Sequence, residues 1–238
     1  MVQNHLSRIT APKSWAISRK ATKWTARPLP GMHPIDKCIT VNFMLRDLLN
    51  YAKTRKEINK ILNEGQLLVD KKIRKESKFA TGLMDVIDIP KLNENYWVLY
   101  NAHGQFYLLP IDKKESNLKL LKVVRKTVVK NGKMQVTFHD GKNLLLDKFD
   151  GKIGDTALFD IEKYNVLKWL PFEKDSVVYL AGGKHTGAIG RIKDVIRAKN
   201  LEKPKVVVEI HGKEYTTLME YAFVVGKNHP EIKLEAKQ

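Results

Sequence analysis

The chain has almost no cysteine: Cys38 is the only one in 238 residues. That excludes a disulfide framework and a thiolate zinc site, and it suits a reducing compartment. No apolar run approaches the roughly 20 residues that a bilayer span needs. The N-terminus has no apolar stretch of the signal-peptide kind, so the expected location is the cytoplasm. The seven histidines, His5, His33, His103, His139, His185, His211 and His229, show no HExxH or HxxxH spacing. No Ser/His/Asp or Cys/His constellation can be assembled from spacing, and no internal repeat or long low-complexity tract is present. Catalysis, a bound metal and a cofactor are therefore not expected. The most telling absence is of negative charge: the first 35 residues contain no acidic residue.

That stretch holds six bases, Arg8, Lys13, Arg19, Lys20, Lys23 and Arg27, with Trp15 and Trp24 among them and Pro12, Pro28, Pro30 and Pro34 interrupting the run. Its few apolar residues follow no sustained period, and like charges oppose compaction. The reading is an extended basic arm over 1–41, disordered in the free protein and ordered on a polyanion. The bases would then neutralise phosphates, and Trp15 and Trp24 would dock on bases or on a neighbouring surface. The whole chain carries 43 Lys+Arg against 26 Asp+Glu, a formal charge of +17. Every segment is basic, with 7 bases against 1 acid in 1–41 and 11 against 7 in 42–91. Nucleic acid fits such a field better than a membrane surface does.

Beyond the arm the pattern is α+β and mostly β. Residues 42–51 put Phe43, Leu45, Leu48 and Leu49 largely on one helical face. Thr54-Arg55-Lys56-Glu57 is a capping-box pattern, Ile58, Ile61 and Leu62 form the next apolar stripe, and Gly65 can end the helix. Gln66–Val69 and Ile73-Arg74 then flank Asp70-Lys71-Lys72 as hairpin arms, and Asp85–Ile89 reads as one more strand. This helix-helix-hairpin unit spans 42–91. Its bases Arg46, Arg55, Lys56 and Lys60 lie on the helices, and Lys71, Lys72 and Arg74 cluster at the hairpin. Taken with the acid-free arm, they point to an RNA-facing surface.

From 92 to 171 short strands follow one another: Tyr96–Tyr100 and Phe106–Leu109 about His103-Gly104, Leu118–Val129 and Met134–Phe138 about Asn131-Gly132, then Thr156–Ile161 and Val166–Leu170. This is a central β domain. After Pro171 the pattern restarts, and 172–228 suits a small SH3-like barrel, leaving 229–238 as a charged, frayed tail. Within it, Ala181–Gly190 (AGGKHTGAIG) carries four glycines in ten residues. Gly182 and Gly187 have P-loop spacing, but Ala188 stands where the phosphate-binding lysine must be and Ile189 where the Ser/Thr must be. Glycines beside Lys184, His185 and Arg191 can instead admit a nucleic-acid backbone, or serve only the tight turns of the barrel.

Several blocks resemble one family. His5-Leu6-Ser7-Arg8, Ala11-Pro12-Lys13-Ser14-Trp15 and Arg27-Pro28 are similar to the N-terminal signature of the archaeal and eukaryotic (e-type) small-subunit ribosomal protein S-four family. Thr81–Ile87 (TGLMDVI), His139-Asp140-Gly141, Gly154-Asp155-Thr156, Ala181–Ile192 and Phe223–Lys227 resemble its later blocks, in order along the chain. The resemblance implies an S-four-type RNA-binding module at 42–91, a family-specific β domain, and a KOW barrel with Gly187 as its key glycine. It also implies binding to small-subunit ribosomal RNA beside other ribosomal proteins, with no enzymatic activity. The short chain and brief C-terminus resemble the archaeal members. Two other classes are an accessory module of an RNA-modifying enzyme, for which no catalytic βαβ unit is visible, and a translation or transcription factor using its barrel to bind protein.

Overall fold

The computed structural model describes residues 5–196, 202–232 and 234. The chain divides into two compact units. Met1–Tyr100 with Gln105–Asn117 form the first, and Asn101–Gly104 with Leu118–Gln238 form the second. Both are predominantly β, and among the described residues no helix is long and apolar enough to cross a membrane.

In the first unit, β1 (Leu6–Ser7) pairs antiparallel with β2 (Trp24–Thr25), and β3 (Cys38–Thr40) with β6 (Ala80–Gly82). A short helix α1 (Val41–Phe43) runs into a π turn, Met44–Leu48, with Thr40 Oγ1 capping its start by accepting from Phe43 N–H at 3.2 Å. Helix α2 (Arg55–Asn63) starts at the expected capping box: Glu57 N–H donates to Thr54 Oγ1, and the Glu57 carboxylate accepts from the Thr54 N–H. Ile58 and Leu62 are buried beneath it. The main sheet has the order β5-β4-β7-β8-β9, with β4 Leu68–Val69, β5 Lys72–Ile73, β7 Val86–Ile89, β8 Glu94–Tyr100 and β9 Phe106–Pro110.

Two expectations need correction here. Residue 91 is not a boundary, because β7 pairs with β8 (Val86 opposite Trp97) and the sheet continues to β9. Nor is the arm without a core. Trp15 and Ala11 are buried, and β3, which closes the arm, is buried at all three residues. The arm's few large side chains need no period of their own, because the surface that covers them comes from residues further along the chain.

The second unit holds two five-stranded antiparallel sheets. In β12-β11-β10-β13-β14 the strands are β10 Leu118–Val128, β11 Met134–Phe138, β12 Asn143–Leu146, β13 Thr156–Asp160 and β14 Asn165–Leu170. Leu121, Val123, Val136, Phe138, Phe149, Ala157 and Phe159 form its core, with Trp169 packed against them. In β18-β17-β16-β15-β19 they are β15 Val177–Leu180, β16 Ile189–Ile196, β17 Lys205–Ile210, β18 Lys213–Leu218 and β19 Ala222–Gly226. Lys122 Nζ of β10 donates to the carbonyls of Met219, Glu220 and Ala222 at 3.1, 2.9 and 2.6 Å, gathering two acceptors of the turn before β19 and one at its first residue. The two sheets therefore share one compact unit, with no division at 171/172. The expected frayed tail starts inside it: Glu231 N–H donates to the Val225 carbonyl at 2.9 Å, and Ile232 and Leu234 are buried. Residues 233 and 235–238 lie outside the described residues.

Candidate nucleic-acid interface

Trp15 is 1% exposed, donates its indole N–H to the Cys38 carbonyl at 2.7 Å and stacks on Phe43 at 5.5 Å. It anchors the arm to the first unit and is not available to RNA bases, which corrects the expectation. Two of the arm's arginines are likewise turned inward. Arg19 donates to the carbonyls of Arg8, Ile9, Ala11 and Pro12 at 2.9–3.2 Å. Arg8 is 6% exposed and donates to the Ser18 carbonyl at 2.9 Å. A guanidinium has five donors in a rigid fork, so one side chain can gather several main-chain acceptors in a segment too irregular to pair them with its own N–H groups. These bases serve folding first. Lys13, Lys20 and Lys23 remain exposed. Trp24 is 50% exposed, with the His5 ring at 5.2 Å and Lys23 Nζ 5.1 Å from its centroid. Arg27 is half-buried.

The arm is also held at its far end. His33 Nε2 lies 3.0 Å from Asp85 Oδ2, which accepts from the Gly82 N–H at 2.8 Å. Any Cβ at Gly82 would meet the His33 ring at 2.5 Å. The TGLMDVI block thus has a structural role, locking the arm against β6. Burial, with smaller effects from Asp36 and Asp85, pushes the Cys38 thiol up to about 12, so it stays neutral and unreactive.

On the helical module Arg55, Lys56 and Lys60 are exposed along α2, and among the described residues none has an ion-pair partner. Arg46 is held by the neighbouring Asp47 carboxylate at 2.7 Å. At the hairpin, Asp70 and Lys71 adopt φ of +50° and +60°, the paired left-handed turn that Asn-Gly favours, here made without glycine. Lys71 is not an outward base. Its Nζ lies 3.1 Å from Asp88 Oδ2 and donates to Ser116 Oγ at 2.6 Å. The pair joins a half-exposed ammonium to a buried carboxylate. Burial raises the Asp88 pKa, and the Lys71 charge partly opposes it. Lys72 is exposed, while the Arg74 guanidinium lies 4.2 Å from the Phe79 ring centroid.

In the second unit the glycine loop is built on aromatic rings. A Cβ at Gly182 would meet Tyr221 at 2.7 Å, and Gly187 takes a φ of +83°. Thr186 Oγ1 donates to the Gly183 carbonyl at 2.8 Å, and His185 packs on Tyr215 at 4.1 Å. Lys184 and Arg191 are exposed at its two ends.

The sequence matches Ribosomal family S4e over residues 92–166 and the RS4NT (NUC023) domain over 2–36. It is 40% identical to the small ribosomal subunit protein eS4 of Methanothermobacter thermautotrophicus over 233 residues, covering 98% of this chain and 96% of the relative. The chain belongs to the ribosomal S4e family. The eS4 of Archaeoglobus fulgidus is 38% identical over 95% of both chains. The crystal structure of the 30S ribosomal protein S4e from Thermoplasma acidophilum superposes with a TM-score of 0.70 at 29% identity, covering 81% of this chain and 96% of that one.

Against this S4e background, most of the expected bases fall into two groups, with Arg27, Arg46 and Arg74 only partly exposed. Arg8, Arg19 and Lys71 are internal ties, whereas Lys13, Lys20, Lys23, Arg55, Lys56, Lys60, Lys72, Lys184 and Arg191 face solvent. Sequence reasoning missed the buried cations Lys119 and Lys122, the first paired with Asp140 at 3.1 Å. Their positions inside the apolar run LKLLKVV were the signal that could have found them.

Proposed function

We propose that this chain holds small-subunit ribosomal RNA with the exposed bases of its folded arm, the outer face of α2, the tip of the β4–β5 hairpin and the glycine loop before β16. As a member of the S4e family it is a structural constituent of the small ribosomal subunit and not an enzyme. Its place is the cytoplasm, where archaeal ribosomes assemble and translate. We read 42–91 as the core of an S-four-type RNA-binding module and the C-terminal sheet as a KOW SH3-like barrel, with Gly187 the glycine its turn requires.

One observation carries the RNA reading. Lys56 and Lys60 stand four residues apart on α2, with Arg55 beside them and no acid paired to any of the three among the described residues. Like charges at that spacing cost a helix a few tenths of a kcal/mol. A polyanion removes that cost and converts it into binding. Trp24, half exposed beside Lys23, supplies an aromatic face of the kind bases stack on. Neighbouring ribosomal proteins would cover the apolar surface that RNA leaves. Cosedimentation through a high-salt wash tests this: a structural constituent remains with the small subunits, while recovery only in the wash would point to a loosely bound factor.

A further inference from the structure

A cavity of about 500 Å³ opens at one end of the C-terminal sheet, within the second unit. Arg191, Glu209, His211, Asn228 and His229 are among its polar lining, and Ile189 and Pro230 are among its apolar walls. The sequence builds it from three constraints. At Gly226 a Cβ would meet the His229 carbonyl oxygen at 1.8 Å, so only glycine lets the chain cross back there. The returning segment is then fixed: Glu231 N–H donates to the Val225 carbonyl, Glu231 pairs with Lys168 at 2.6 Å, and Arg191 Nη2 donates to the Asn228 carbonyl at 3.3 Å. Finally, the β17–β18 turn places His211 at a φ of +50° before Gly212 at +77°. Asn-Gly would fill that two-residue turn without strain, so an imidazole is held there at a conformational cost.

The charge balance favours an anion. Among the described residues, Glu209 is the one carboxylate in the lining, and it is paired with Lys193 at 2.8 Å, while Arg191 has no ion-pair partner. Lys213 and Lys227 flank the rim in sequence, next to Gly212 and Asn228. The volume lies in the range of small-molecule sites, far too small for a duplex. Two imidazoles and a proline ring beside a guanidinium match one base with its phosphate, and sequence-specific RNA recognition works mainly on unstacked bases.

We propose that this cavity receives one unstacked nucleotide of the ribosomal RNA, its phosphate on Arg191 and its base against His211 and His229. This rests on the RNA-binding reading above. The test is binding of the full chain to small-subunit ribosomal RNA across a salt series. The double variant His211→Asn/His229→Ala, which keeps a residue tolerant of positive φ in the turn, should bind about tenfold more weakly, with an unchanged salt slope and melting temperature. Arg191→Ala should bind more weakly and lose about one unit of the logarithmic salt slope. Wild-type affinity in both variants, while the native chain still binds with a steep slope, overturns the pocket and leaves the RNA reading standing. Failure of the native chain to bind overturns the underlying reading. Should either variant melt early, ultraviolet crosslinking of the native complex decides: nucleotide adducts on the peptides holding His211 or His229 support the site, and adducts confined to other peptides refute it.

Discussion

Trp15 gives its indole N–H to the carbonyl of Cys38 at 2.7 Å, tying the acid-free segment to the strand that ends it. The ring is 1% exposed and lies on Phe43, so the same side chain fills the first unit's core and satisfies a buried main-chain acceptor. A segment whose composition reads as disordered is thereby folded within the chain itself. Trp15→Ala should destabilise the first unit by about 3–5 kcal/mol, as loss of a large buried aromatic does. Trp24→Ala should leave stability within about 0.5 kcal/mol and weaken RNA binding. Denaturant titration of the two variants checks this, and equal melting of both would remove the anchor from the account.

The helix α2 separates folding from binding in adjacent residues. Thr54→Ala removes the capping hydroxyl and should cost about 1 kcal/mol of stability. Its partner Glu57 has a lowered pKa, first because it accepts from the Lys53 main-chain N–H and then from the Thr54 side chain and main chain. The sign follows: this contribution is present above the ordinary glutamate pKa and fades as pH falls through the lowered value. Lys56→Ala and Lys60→Ala should leave melting unchanged or slightly raised, and each should lower the salt slope of RNA binding by about 1. A loss of stability in the lysine variants comparable to that of Thr54→Ala would place them in the fold rather than at the interface.

Lys71→Ala should behave unlike a surface lysine. It strands the buried Asp88 carboxylate, for a loss of about 3 kcal/mol at neutral pH. Asp88 already has a raised pKa from burial, and removing Lys71 raises it further. In the folded state the variant then holds a proton that the unfolded chain releases. Its deficit is largest above the raised pKa and shrinks as pH falls below it. A deficit that stayed constant from pH 7 down to the acid limit of the fold would rule out the ion pair as its source.

Lys122→Met keeps the aliphatic stem but removes the ammonium that donates to the carbonyls of Met219, Glu220 and Ala222, of which Met219 keeps a second donor in the Ala222 N–H at 3.3 Å. Stranded buried acceptors cost about 1–3 kcal/mol. A loss in that range is expected, with the fastest gain in amide exchange around residues 219–222. Exchange unchanged there would show that the ammonium does not hold the turn.

The strands were largely legible because hairpins announce themselves locally. Met134–Phe138 pairs with β10 across Lys130–Gly132, where Gly132 takes a φ of +71°. Phe106 pairs with Tyr100 as the His103-Gly104 turn implies. The capping box at Thr54 is equally local and appears as read. What escaped depends on partners distant in sequence. Cys38 faces Gly82 across β3 and β6, and Trp97 faces Val86 across a boundary that composition had placed between them. The same holds for the bases. Charge counting treats Arg8, Arg19 and Lys71 like Lys20 or Lys56, and only the three-dimensional position of carbonyls and carboxylates separates an internal tie from an outward charge.

The central claim is that exposed bases on a pre-folded protein bind ribosomal RNA through its phosphates. Equilibrium binding of the full chain to small-subunit ribosomal RNA between 50 and 200 mM salt tests it most directly. Six to ten phosphate contacts predict a loss of roughly 10³–10⁵-fold in affinity across that range. A nearly flat dependence would contradict the account.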